Sequence, residues 1–254
     1  MNYNKLKNIC EKEEKQSFFG WDFSHLNNRW ENEKLKWNYF DIIKNHLKDT
    51  DNLLDIGTGG GEFLLTLNHP YKLTSVTEAY PPNFELCKEK LSPIGISVNQ
   101  TYEDNVLPFD NDTFDIIINR HAAFDLNEVH RVLKSGGYFI TQQVGNENNN
   151  ELRSKLLSNF EPNVNEKHTL HHYLENLSQM NYSIEFSDEQ FQRVKFLDIG
   201  ALVYYAKIIE WEFPHFSVSK CFDNIRKCQT AIEKNGYIQS KWHRFIIVAQ
   251  KTKN

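Results

Sequence analysis

Two carboxylates and a cluster of glycines are the residues here whose types and spacing can do chemistry. Asp55 follows the apolar pair Leu53-Leu54, and Gly57, Gly59, Gly60 and Gly61 come directly after it. Phe63, Leu64, Leu65 and Leu67 then continue at helix-compatible positions, so the stretch reads as a buried strand, a tight turn and a helix start. Glycine admits positive φ and lets a ligand approach the backbone without a Cβ in between. The N–H groups of such a turn and helix start offer donors to an anionic or polar group. A second strand, 72–77, ends in Glu78. A carboxylate at a strand end about twenty residues after a glycine turn is placed to accept the hydroxyls of a ribose. Hydroxyl donors can satisfy both of its oxygens. The chemistry these residues suit is the holding of a nucleoside.

Two familiar nucleotide loops do not fit. A dinucleotide fingerprint opening at Gly57 would need a third glycine where Glu62 stands, and no Lys-Ser/Thr pair follows for a phosphate loop. The pattern present is D-x-G-x-G-x-G, from Asp55 to Gly61. It resembles the first motif of class I S-adenosylmethionine-dependent methyltransferases. Two later stretches resemble the same family. Glu103-Asp104-Asn105-Val106-Leu107-Pro108-Phe109 matches the acidic residue before a Leu-Pro-Phe, and VLKSGGYFITQQ (132–143) matches the late turn before the fifth strand. The resemblance covers about Asn52–Val144. It implies S-adenosyl-L-methionine as cofactor and S-adenosyl-L-homocysteine as product. It further implies a cofactor site of Asp55, Gly57, Thr58, Gly59, Gly61, Glu78 and Ala79, with Glu103 or Asp104 at the adenine amino group and Asn119 and Arg120 after the fourth strand. The family more often has aspartate where Glu103 stands.

For catalysis, the family's reaction needs an acceptor held in line with the methyl and sulfur, with water excluded. An acceptor hydroxyl or ammonium must also lose a proton. His121 is the candidate base, since an imidazole titrates near neutral pH; Asp22 and Tyr205 are further candidates, and His121 can equally pack against the methionine moiety. Arg29 or Arg120 would pair the cofactor carboxylate. The aromatic segment around Trp21 and Phe23 precedes the first long helix, and Tyr205 and Trp211 lie in a late apolar insert; these four are candidate lid residues over an acceptor.

The elements that must position these residues are those of an α/β chain. The expected architecture is a Rossmann-like, seven-stranded, mostly parallel sheet with helices on both faces, a last strand running antiparallel, an N-terminal helical arm and a late helical insert. Residues 1–50 form the arm and a helix at about 31–47, and 51–254 form the methyltransferase domain, with the insert at about 198–240. Within the charged 1–19 stretch, Glu11–Lys15 is expected as a solvated helix face or a frayed arm. Phe114–Asn119 is a fully buried fourth strand, 126–133 a helix, and Tyr138–Val144 the fifth strand. Tyr182–Phe186 begins the sixth strand, and Phe191–Leu197 and His243–Gln250 form an antiparallel pair split by the insert.

Composition sets bounds. The chain has 254 residues, 39% of them apolar and 25% charged, with a net charge of −5. That charge and a pI near 6.1 argue against a general nucleic-acid surface. The four cysteines lack C-x-x-C spacing, which fits reduced thiols. No apolar run follows Met1, and 199–209 is too short to span a bilayer, so a cytoplasmic protein without a membrane segment is expected. His168, His171 and His172 have ligand-like spacing but no cysteine or carboxylate motif beside them, so no metal is expected. Tyr80-Pro81-Pro82-Asn83-Phe84 is similar to an element of amino-methylating nucleic-acid enzymes but follows the wrong strand. A small-molecule acceptor, as in the quinone-biosynthesis and methyltransferase type 11-like group, is the leading expectation. The alternatives are ribosomal or transfer RNA methylation, which needs a basic rim, and a non-catalytic S-adenosylmethionine-binding protein.

Overall fold

A computed structural model describes residues 2–18, 22–102, 106–162 and 166–253. The helix α1 (Tyr3–Glu14) is capped by the Asn2 side chain, and β1 (Trp30–Asn32) and α2 (Tyr39–His46) follow. The glycine loop joins β2 (Leu53–Ile56) to α3 (Glu62–Thr66). Then come β3 (Thr74–Glu78), α4 (Pro81–Lys90), β4 (Ser97–Gln100), β5 (Phe114–Arg120), α5 (Leu126–Val132) and β6 (Leu133–Val144). The remainder is α6 (Asn150–Leu156), α7 (Leu170–Gln179), β7 (Tyr182–Phe196), α8 (Ile199–Ile208), α9 (Val218–Asn235) and β8 (Ile238–Lys251).

The strands make one sheet in the order β1-β7-β8-β6-β5-β2-β3-β4. The pairs β2–β3, β2–β5, β3–β4 and β5–β6 are parallel, whereas β6–β8 and β1–β7 are antiparallel. The α/β expectation therefore holds, with eight strands rather than seven. The added strand is β1, whose Trp30, Glu31 and Asn32 register with Phe196, Lys195 and Val194.

Three local expectations are corrected. The helix placed at about 31–47 begins only at Tyr39, because Trp30–Asn32 is used as a strand and Asn38, in extended backbone, caps the helix through Phe40 N–H. The sixth strand and Phe191–Leu197 are one continuous 15-residue strand, β7; the polar stretch 187–190 between them holds no glycine or proline to turn the chain. Of the two readings of Glu11–Lys15 the helix face holds and the frayed arm does not, since these residues close α1, whose Leu6 and Cys10 are buried in an apolar cluster with residues of α8 and α9.

By contacts the chain divides into two compact units. One comprises 1–35, 146–164 and 190–243; the other comprises 36–145, 165–189 and 244–254. The first has its own apolar core, built on α8 with Phe196, Tyr205, Phe213 and Trp242 among its members. Its polar anchor is Arg29, which donates to Asp198 and Glu13. The second unit holds the parallel strands. Its core includes Leu54, Ile56, Ile117, Phe139, Phe245 and Ile247. The buried run Ile116-Ile117-Ile118 of β5 is that of a strand covered on both faces.

Candidate functional site

The parallel register of the second unit brings the sequence-predicted residues to one end of the sheet. Asp55 is paired with Val76, Ile56 with both Thr77 and Asn119, and Glu78 with Gln100. The carboxyl ends of β2, β3, β4 and β5 thus lie side by side, which is where open α/β sheets receive ligands. Asp55, Gly57, Thr58, Gly59, Gly61, Glu78, Ala79, Asn119, Arg120 and His121 all belong to these ends or to the loops that leave them.

The glycine loop is folded against its neighbours more tightly than the sequence suggested. Gly57 and Thr58 N–H both donate to Thr77 O, at 2.9 and 3.1 Å, and Gly61 N–H donates to Thr58 O at 3.2 Å. Gly59 N–H donates to the Glu78 carboxylate at 2.8 Å. These four donors are engaged within the protein, contrary to the expectation of a loop with free N–H groups. Gly57 has φ +71°, and a Cβ there would stand 2.2 Å from the Ala122 Cβ. Gly61 has φ +78° and stands at the N-cap of α3. Below the loop, the Cys87 thiol donates to Gly59 O.

Glu78 is 7% exposed. Besides Gly59, it accepts from Ala79 N–H at 3.0 Å and Tyr80 N–H at 2.9 Å. Three donors on a carboxylate leave acceptor capacity over, since two ionised oxygens offer about four lone-pair sites. Asp55 is buried, and desolvation lifts its pKa to about 6, opposed by the Thr58 hydroxyl and the charge of Arg120. A cavity of about 90 Å³ opens here, with Gly57, Glu78, Ala79, Thr101, Ala122 and Asp125 in its lining. Pockets that enclose a whole drug-sized ligand have about 300–1,000 Å³, so this cavity matches part of a nucleoside. Glu103 and Asp104, expected at an adenine, lie outside the described residues, as does Trp21.

Beyond β5 the residues play distinct parts. The Asn119 side chain is buried and cross-ties strand ends. It donates to Ile56 O at 3.0 Å and accepts from Thr141 Oγ1 at 3.0 Å and from the Gln143 amide. Arg120 is exposed and stacks over the Phe63 ring, 4.4 Å from its centroid. His121 is accessible yet sits within a dense surround. Desolvation, then the charges of Arg244 and Arg120, hold its pKa well below the usual histidine range. Its φ is +62°, a region that non-glycine residues enter infrequently.

The other expected residues belong to the first unit. Tyr205 is buried and bonded to Asn149 at 2.9 Å, Phe23 stacks on Trp30, and Trp211 is 64% exposed. Arg29, one candidate for a cofactor carboxylate, is held by the two acids named above. Asp22 is exposed and accepts from Ser24 N–H. Sequence reasoning missed a role for Trp37 and Gln142. Trp37 Nε1 donates to Gln142 Oε1 at 2.8 Å, and the Gln142 amide meets His121 Nε2 at 3.1 Å. The signal available was a glutamine pair on an otherwise buried strand. Among the described residues no group of His, Cys, Asp and Glu could hold a metal, and no helix is long and apolar enough to cross a membrane.

Comparison with known proteins agrees with this geometry. Residues 54–141 match the family model described as a methyltransferase domain, Methyltransf_11. The chain is 32% identical over 142 residues to a sterol 4-C-methyltransferase of Caenorhabditis elegans, a match covering 48% of this chain and 41% of that one. It is 33% identical over 87 residues to the phthiotriol/phenolphthiotriol dimycocerosates methyltransferase of Mycobacterium leprae, covering 32% of each. The chain thus spans well under half the length of these relatives. The crystal structure of the YcgJ protein of Bacillus subtilis superposes with a TM-score of 0.56 at 19% identity, covering 85% of this chain and 99% of that one, which shows a shared fold. The glycine loop, Glu78 and the strands around them lie within the stretch that matches this methyltransferase-domain model.

Proposed function

We propose that this methyltransferase-domain chain is an S-adenosylmethionine-dependent methyltransferase that acts on a small-molecule acceptor. The observation that carries the reading is Glu78. It is a nearly buried carboxylate at the end of β3, bonded to the glycine loop and bordering a cavity, with lone pairs in excess of its three protein donors. Gly57 and Ala122 make a cradle that any Cβ would fill, and the residues present fit a ribose and the methionine half of the cofactor.

When bound, the cofactor supplies a methyl group made electrophilic by a sulfonium. The chain's own residues hold and orient. Glu78 would accept the ribose hydroxyls, Ala79 would border the adenine, and Glu103 or Asp104 would serve the adenine amino group. Asp55 and the loop of Gly57, Thr58, Gly59 and Gly61 border the methionine half. Arg120 would pair its carboxylate, with Asn119 fixing the strand end from which Arg120 projects.

A small-molecule acceptor is supported by the relatives, one named for a sterol and one for phthiotriol and phenolphthiotriol dimycocerosates. The net charge of −5 also weighs against an RNA-wide basic surface. Calorimetric titration with S-adenosylmethionine tests the reading. Saturable binding by the wild-type chain, weakened in Glu78→Gln, is the expected result, and no binding overturns it.

A further inference from the structure

The side chain of His121 ends a line of hydrogen bonds that determines which of its nitrogens carries a proton. Indole N–H is a donor only. Because Trp37 Nε1 donates to one end of the Gln142 amide, that end is the carbonyl oxygen, and the amide nitrogen faces His121. An amide nitrogen donates, so His121 Nε2 presents its lone pair and the neutral ring carries its proton on Nδ1. Trp37 is 8% and Gln142 5% exposed, so water competes little for the bond between them, which fixes the amide that His121 meets at its more accessible end. The backbone supports the same placement, since His121 N–H donates to Gln142 O at 2.9 Å. Among the described residues, no group accepts a hydrogen bond from His121 Nδ1.

The surroundings favour the neutral ring. Arg120 precedes it, and Arg244 of β8 bears on it electrostatically. A lone pair already engaged by an amide and flanked by two cations makes a poor base, whereas the Nδ1–H remains a good donor.

We propose that His121 serves the acceptor site as a neutral hydrogen-bond donor positioned by Gln142 and Trp37, and that the acceptor is an anionic nucleophile such as a phenolate, enolate or carboxylate. The inference rests on the methyltransferase reading. The nucleophile's own lone pair forms the bond to the methyl carbon, and the carbon–sulfur bond breaks with its electron pair passing to sulfur. Anion and sulfonium become two neutral groups, and no proton is taken by His121. Gln142 and Trp37 are positioning residues.

The test is a two-bond ¹H–¹⁵N correlation spectrum of the full chain labelled at its ten histidines, at neutral pH and without cofactor. His121→Asn identifies the signal, and asparagine tolerates positive φ. The expected result is the Nδ1–H tautomer in the wild type and a shift to Nε2–H or imidazolium in Gln142→Glu, whose carboxylate accepts from both Trp37 and His121. Trp37→Phe, which frees the amide to turn, is expected to give mixed tautomers. An Nε2–H or charged ring in the wild type, or an unchanged tautomer in Gln142→Glu, overturns the proposal. Benzoate and benzylammonium then serve as acceptor probes. Benzoate is expected to shift the His121 signals and benzylammonium to leave them unmoved; the reverse, or no shift with benzoate, overturns the anionic acceptor. Because the tautomer is read without cofactor, failure to bind S-adenosylmethionine would refute the methyltransferase reading while leaving the tautomer result intact.

Discussion

Replacing Gly57 by alanine attacks the site at a point where the cost can be worked out. Two separate terms oppose the new Cβ. The backbone at Gly57 has φ +71°, and an L-residue in the left-handed region costs about 1–2 kcal/mol. The Cβ would also stand 2.2 Å from the Ala122 Cβ, so the loop or the segment after β5 must move. Overpacking of that kind costs about 1–3 kcal/mol. The sum is about 2–5 kcal/mol, read as a lowered urea midpoint with unchanged slope. The double variant Gly57→Ala/Ala122→Gly separates the terms: removing the opposing methyl should restore the overpacking share and leave the φ share. Because this pair borders the cavity, Gly57→Ala should also weaken S-adenosylmethionine binding in calorimetry even where the chain is fully folded. A loss below about 1 kcal/mol, or no recovery in the double variant, would refute the geometry on which the cradle argument stands.

Other expectations follow from the same geometry. Glu78→Gln puts an amide nitrogen against backbone donors and removes a charge, so S-adenosylmethionine affinity should fall about ten-fold or more, given about 1.5–3 kcal/mol for a charge-assisted bond. Unchanged affinity would remove Glu78 from the site. Asp55 titrates at about 6 in the folded chain and near 3.8 when unfolded, so the folded state binds the proton more tightly. Its stabilising effect is complete below the unfolded value and lost as pH rises through about 6, a swing of up to about 3 kcal/mol. Denaturation curves should therefore show Asp55→Asn gaining on the wild type between pH 4 and 6, and a gap opening in the opposite direction would contradict the burial of this carboxylate. Arg29→Gln leaves Glu13 and Asp198 without their shared cation; because these groups are only partly buried, the expected loss is about 1–3 kcal/mol of stability. Its S-adenosylmethionine affinity should stay within about two-fold of the wild type if Arg120 holds the cofactor carboxylate; a larger loss would reinstate Arg29.

Much of the second unit was legible because its signals are local. Apolar runs ending in Asp55, Glu78 and Asn119 mark parallel strands whose carboxyl ends must meet, and a glycine cluster between a strand and a helix has few other uses. What was illegible depends on long-range pairing. Trp30–Asn32 is too short to declare itself a strand, and only its register with Val194–Phe196 makes it one. The stretch 187–190 carries turn-like polar residues, yet the strand continues through them. Arg29 looked available for a ligand because its acids are distant in sequence, Asp198 by 169 positions. The occupied N–H groups of the glycine loop were equally hidden, because Thr77 O and the Glu78 carboxylate that receive them arrive from the next strand. Trp37 carries no local sign of a role, and its indole N–H acquires one only when β6 places Gln142 beside it.

The most direct measurement is to incubate the chain with methyl-tritiated S-adenosylmethionine and a desalted cell lysate, and then to count label in separated metabolite and RNA fractions. The account expects label in the metabolite fraction, lost in Glu78→Gln. Label confined to RNA, or none in any fraction, would contradict it.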